Sequence, residues 1–308
     1  MSPAPSAKIR IGPAGLHYFN RSSGLNVLFD EVDFPKISWH AAPRQISIAL
    51  TNACDLRCSY CYAPKNHAIL DSRRVCAWLS EFDEHGALGI GFGGGEPTLH
   101  PRFAELCEFA AQRTTLAVTF TTHGHHLSPK LLSRIEGRVN FIRLSMDGIG
   151  STYERLRGRS FRDFTTKVRE ASSVAPIGLN FVVNADTLED LDSAIDFAQA
   201  EGVREFLLLT EQRTDRRSGI AAEELQLLQN WVRNYRGKMP LAVSARDADR
   251  FVTCDPCNAD SELRAYAHIN AVGQLQRSSF EKSGVQILES GVMVALRTLQ
   301  ESQPCNTI

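Results

Sequence analysis

From about residue 45 the chain alternates between short apolar, β-branched runs and longer segments with helical spacing. Gln45 to Leu50 reads as a strand and Ser72 to Glu84 as a helix. Leu88 to Phe92 is the next strand, followed by a helix from about Pro101 to Arg113 and a strand from Leu116 to Thr122. Ser128-Pro129 supply an N-cap and a first-turn proline, and Gly137 stops that short helix. Asn140 to Ser145 reads as a strand, Phe161 to Ser173 as a helix and Ile177 to Val183 as a strand. Leu188, Leu191, Ile195 and Ala198 then share one helical face that ends at Gly202, and Glu205 to Thr210 closes the series as a strand.

Six such units over about 170 residues predict an α/β fold with a parallel sheet and covering helices. Six is fewer than a full eight-stranded barrel needs, so a partial (β/α)6 barrel is expected over 44–213. Residues 1–43 read as a leading segment with a hairpin near Arg21 to Gly24. Arg213 to Gly219 is a polar linker. Residues 214–308 read as a small α+β extension: a helix from Ala221 to Tyr235, strand-like pieces at Tyr266 to Ala271 and Gly273 to Gln276, and a last helix near Leu288 to Leu299.

Charge adds little. The 34 basic and 35 acidic residues leave a net charge of -1, which favours neither a nucleic-acid nor a membrane-surface partner. Apolar runs are too short to span a bilayer, and Met1 to Arg10 lacks the apolar centre of a signal peptide. The expectation is a soluble cytoplasmic protein.

The cysteines change the picture. Disulfides are rare in a reducing compartment, yet Cys54, Cys58 and Cys61 crowd one segment, with Cys254, Cys257 and Cys305 in the tail. Cys76 and Cys107 fall at helical positions and read as small buried hydrophobes. The first three follow the first core strand, at the carboxyl end of the sheet where α/β sites form. Three thiolates on a tight loop can bind three irons of a cubane and leave the fourth open. A zinc site would want a fourth ligand, for which His67 is available, and a redox dithiol would leave the third cysteine surplus.

The C-x3-C-x2-C spacing, with Tyr60 just before the third cysteine, resembles the signature of the radical S-adenosylmethionine (SAM) superfamily. The resemblance implies a [4Fe–4S] cluster on Cys54, Cys58 and Cys61, whose open iron is chelated by SAM. It also implies reductive cleavage to a 5′-deoxyadenosyl radical, fed by a donor such as flavodoxin or ferredoxin. Gly94, Gly95 and Glu96, before Pro97, resemble the family's Gly-Gly-Glu-Pro motif, in which the carboxylate receives the SAM ammonium group. Ser145-Met146-Asp147-Gly148 with Arg157-Gly158 resembles a further run, implying Ser145 at the SAM ribose or carboxylate, Arg157 paired with the carboxylate and Asn180 at the ribose. His123 stands where the family more often has asparagine, and is expected to face substrate; a metal site on His123, His125 and His126 is the lesser alternative.

Cys254-x-x-Cys257, a strand and a glycine turn resemble the auxiliary-cluster region of SPASM and Twitch extensions. The third cysteine of that pattern is Ser278 here, which leaves Cys305 as the candidate third ligand of a second iron–sulfur cluster, or a cluster-free vestige. The resemblance favours a peptide or small-metabolite substrate. The competing readings are a nucleotide-derived substrate and a non-catalytic iron–sulfur or zinc scaffold.

Overall fold

The computed structural model describes residues 5–214, 216–254, 257, 260 and 262–302. The leading segment is a three-stranded antiparallel sheet, β1 (Ala7–Gly12), β2 (Gly15–Asn20) and β3 (Leu25–Phe29). The expected hairpin is the β2–β3 turn; β1 is an addition to the sequence reading.

The core then runs β4 (Gln45–Thr51), α1 (Ser72–Glu84), β5 (Gly89–Gly94), α2 (Phe103–Arg113), β6 (Ala117–Thr122), α3 (Pro129–Ile135) and β7 (Phe141–Ser145). It continues with α4 (Ser151–Arg157), α5 (Phe161–Ser172), β8 (Ile177–Val183), α6 (Leu191–Ala200) and β9 (Glu205–Thr210). The tail holds α7 (Ala222–Asn234), β10 (Leu241–Val243), β11 (Tyr266–Ile269), β12 (Gln274–Gln276), β13 (Val285–Gln286) and α8 (Val292–Glu301).

Local chemistry sets the helix starts. Asp71 Oδ1 accepts from the Arg73 and Arg74 amides at 2.9 and 3.1 Å, and Ser128 and Ser160 cap α3 and α5 in the same way. The strands alternate: Ile46, Ile48, Ile90, Phe92, Val118, Phe120, Ile142, Leu144, Leu179 and Phe206 face the helices and are fully buried. Each such side chain contributes about 1.5–3 kcal/mol of burial. The intervening residues face the inside of a partial barrel.

The extension joins the core sheet, whose order is β10-β9-β8-β7-β6-β5-β4-β11-β12-β13. Strand β11 pairs parallel to β4, Tyr266 opposite Gln45, so the tail extends the core sheet. Helix α8 packs on α1, with Glu81 accepting from the Val292 and Met293 amides at 2.7 and 3.0 Å. No helix among the described residues is long and apolar enough to cross a membrane.

Candidate active site

The loops after β4, β5, β6, β7 and β8 meet at the carboxyl ends of the parallel strands. Cys58 is buried and Cys54 and Cys61 half-buried, beside the buried Leu56 and Tyr60 and against Leu156 and Val182. The next loop locks this one in place. Gly95 N donates to Thr51 O at 2.7 Å and Glu96 N to Ala53 O at 2.8 Å. Gly94 has φ +125°, and a Cβ there would lie 2.2 Å from Thr51 O; one on Gly95 would lie 2.3 Å from Ala53 O. The two glycines therefore serve first the backbone of the cysteine loop, which must pass against them.

Glu96 is buried and already engaged. Its Oε1 accepts from Thr98 N at 3.1 Å, Thr98 Oγ1 at 2.5 Å and Thr122 Oγ1 at 2.8 Å, and its Oε2 from His123 N at 3.0 Å. His123 corrects the expectation that it faces substrate. It is buried, with Nε2 2.9 Å from Asp55 Oδ1 and Nδ1 accepting from the His125 amide at 3.1 Å. It ties the β6 loop to the cysteine loop. The three histidines do not converge on one ion either, because His125 Nε2 turns to the Tyr153 hydroxyl at 3.0 Å. Burial pushes the His125 pKa down to about 4.

Asp147, quoted in the sequence only as part of a run, is the hub of the site. It holds φ +47°, followed by Gly148 at +97°. One carboxylate oxygen accepts from Tyr60 OH at 2.8 Å and pairs with Arg157; the other accepts from Val182 N at 2.6 Å. Arg157 therefore pairs inside the protein, with Nη1 3.6 Å from Cys58 Sγ and its guanidinium 5.8 Å from the Tyr60 ring centre. Burial opposes the Arg157 charge, but Asp147 together with Tyr60, Cys58 and Tyr153 holds the pKa above the usual value. Burial and then Asp147 push the Tyr60 phenol up. An acid followed by glycine at a strand end was the available signal for such a hub.

Ser145 and Asn180 are cross-strand partners on β7 and β8. Asn180 Oδ1 is buried without a hydrogen-bond partner among the described residues. Cys254 is exposed and Cys257 buried, and both lie in the segment leading to β11. Asp260 N donates to Cys257 O at 2.9 Å, and Asp260 pairs with Arg10, which reaches Ala42 O and Gly86 O at 2.9 and 3.0 Å. Cys257 thus sits at the amino ends of β4 and β5, opposite the first three cysteines. Cys305 lies outside the described residues. Cys54, Asp55 and His123 bring ligand atoms within 4.8 Å of one another, a grouping that the Asp55–His123 hydrogen bond accounts for.

The donor set fits an iron–sulfur cubane: three thiols on one loop, an apolar surround and no fourth protein ligand demanded by the geometry. An orphaned carbonyl oxygen on the facing strand fits a ligand bound beside it. The pattern that describes the Radical SAM superfamily matches residues 48–198, which includes this loop and all five of the strand ends above. The chain belongs to the radical SAM superfamily. A [4Fe–4S] cluster and SAM are the cofactors that this family implies.

Among relatives, the PqqA peptide cyclase of Ruegeria pomeroyi is 31% identical over 172 residues, 53% of this chain and 46% of that protein. The mycofactocin maturase MftC of Mycobacterium ulcerans is 27% identical over 194 residues, 60% of this chain and 51% of that protein. The radical SAM chain thus spans about half the length of these relatives. Streptococcus suis SuiB bound to its precursor peptide SuiA has the same fold, with a TM-score of 0.77 at 12% identity, covering 99% of this chain and 92% of that one.

Proposed function

We propose that this radical SAM protein is an enzyme that cleaves SAM reductively and abstracts hydrogen from a peptide substrate. The observation that carries the reading is the set of three thiols on one loop, clamped at the strand ends by the glycine pair and the Asp147 hub. When bound, a cluster on Cys54, Cys58 and Cys61 would hold SAM at its open iron and supply the electron that cleaves it.

The chain's own residues then position and shield. Leu56 and Tyr60 keep water from the thiolates, and Arg157 sets a positive charge beside Cys58. Ser145 and Asn180 line the neighbouring strand ends as hydrogen-bonding groups for SAM, with the Asn180 oxygen already unpaired. Arg157, tethered by Asp147, keeps guanidinium N–H groups for the SAM carboxylate. Glu96 Oε2, which accepts from His123 N and lies 3.3 Å from His123 Nε2, is the carboxylate oxygen that would receive the ammonium group. A flavodoxin- or ferredoxin-type donor would supply the electron, in keeping with a soluble cytoplasmic protein.

The peptide assignment draws support from the PqqA peptide cyclase, a relative whose name records a peptide substrate. In the same reading, 214–308 is a SPASM/Twitch-like extension with a second cluster on Cys254, Cys257 and Cys305. Its support is that Arg277 Nη2 donates to Ser302 O at 2.7 Å while Nη1 lies 3.6 Å from Glu262, which brings the end of α8 toward the Cys257 segment.

The test is anaerobic reconstitution of the wild type and of a Cys54/Cys58/Cys61 triple Ala variant. The wild type should release 5′-deoxyadenosine on dithionite reduction, and the triple variant none. About four irons should stay in the variant if the second cluster exists. Undiminished SAM cleavage in the variant would overturn the main reading; near-zero iron would remove the second cluster alone.

A further inference from the structure

The inner face of the barrel consists of the alternate strand residues that the helices do not cover. On β7, Ile142 and Leu144 are fully buried against helices, so Phe141, Arg143 and Ser145 point inward. Arg143 is registered with Gly178 on β8, and Gly178 with Glu205 on β9. Because position 178 has no side chain, Arg143 and Glu205 meet across it, and Arg143 Nη2 pairs with Glu205 Oε1. The edge of Phe141 takes the remaining room: a Cβ at 178 would lie 2.7 Å from its ring. The Arg143 guanidinium lies 5.2 Å from the centre of that ring.

The pair is unfinished. Arg143 Nη1 is buried and has no acceptor among the described residues, a state that proteins avoid unless water or a ligand completes it. Glu205 Oε2, on a side chain that is 33% exposed, accepts nothing among them either. Two residues along the strands, about 7 Å nearer the cysteine loop, stand Ser145 and the orphaned Asn180 oxygen. Gly93 on β5, an inward position two strands from β7, leaves open space, with nothing within 4 Å of where a Cβ would stand.

We infer that Arg143 and Glu205 form a substrate subsite that reads the backbone of one extended residue of a peptide, whose N–H and C=O project to the same side. Arg143 Nη1 donates to that residue's carbonyl, and Glu205 Oε2 accepts from its N–H. A carboxylate would be met by Glu205 as well as by Arg143, whereas an extended residue is neutral and presents to one side both the acceptor and the donor that the pair lacks. The inference rests on the reading of the protein as a peptide-directed enzyme.

The experiment uses the reconstituted full-length protein with SAM, a library of N-acetylated, C-amidated tetrapeptides without free termini, and GTP as a nucleotide probe. Peptides selected by the wild type should lose at least about tenfold in affinity with R143M, the scale of one lost charge-assisted hydrogen bond. E205Q keeps the shape and gives the same comparison should R143M misfold. The exchanged pair R143E/E205R should recover the thermal midpoint but not the affinity, since donor and acceptor have changed sides. Wild-type affinity in R143M and E205Q, or recovery of binding in the exchanged pair, would make the pair structural and overturn this inference alone. A wild type that cleaves SAM and binds GTP but no peptide would overturn the peptide reading, and this subsite with it.

Discussion

Both ends of the sheet carry closely spaced cysteines, but they support them differently. At the carboxyl end the loop of Cys54, Cys58 and Cys61 is gripped from two sides, by backbone hydrogen bonds from Gly95 and Glu96 and by the Asp147–Tyr60–Arg157 cluster. At the amino end Cys257 is buried beside a charged knot, in which Arg10, Arg44 and Arg264 surround Asp260, while Cys254 is exposed. The first arrangement fixes the thiols themselves. The second ties the leading sheet, the core and the tail to each other, and the cysteines sit beside it.

Removing the acid at each hub separates the two roles. Both Asp147→Ala and Asp260→Ala leave a buried guanidinium without its carboxylate, so each should destabilise the fold by about 3–5 kcal/mol. Thermal or denaturant unfolding measures that. Only Asp147→Ala should also lower the iron retained and the yield of 5′-deoxyadenosine; equal iron loss in both variants would erase the distinction.

The tail strand offers a sharper probe by pH. His268 on β11 is buried with Nδ1 3.1 Å from Ser47 Oγ, and burial pushes its pKa from 6.5 down to about 4. Folding keeps it neutral, so its contribution is whole above pH 6.5 and is lost as pH falls toward 4, on the order of 3 kcal/mol in all. His268→Gln should flatten the acid limb of the stability curve, and an unchanged limb would place the sensitivity elsewhere.

The smallest effect is expected from Gly95→Ala. The new Cβ meets Ala53 O, so the cysteine loop must shift, costing about 1–3 kcal/mol. Iron content should fall more than global stability does. A variant with full iron and a lowered midpoint would mean that the loop absorbs the methyl group without moving its thiols.

Much of the core was legible because period and punctuation agreed. The helix Ser72–Glu84 and the strand Ile177–Val183 were read to the residue, and the three cysteines were found by spacing alone. Helix α4 was missed: it is seven residues long and starts from Gly150 at φ +52°, with no capping side chain to announce it. That the tail joins the core sheet was not legible, because pairing between β11 and β4 joins residues more than two hundred positions apart, and no local pattern encodes that. Glu96 and His123 were placed at the right loops, yet their partners, Thr122 and Asp55, come from other units of the chain. Residue type told which groups matter; only the fold told what they face.

The pairing of β11 with β4 also governs how the molecule is made. As the chain leaves the ribosome, strands β4 to β9 can join in the order in which they emerge, each beside the one before. The outer edge of β4 must wait for residue 266 before it finds its neighbour. For that interval a nascent chain presents a bare apolar edge next to its cysteine loop, open to a second nascent chain or to a chaperone. Slow synthesis through 214–265 should lengthen this exposure, and the yield of folded protein would depend on how quickly the ribosome passes that stretch.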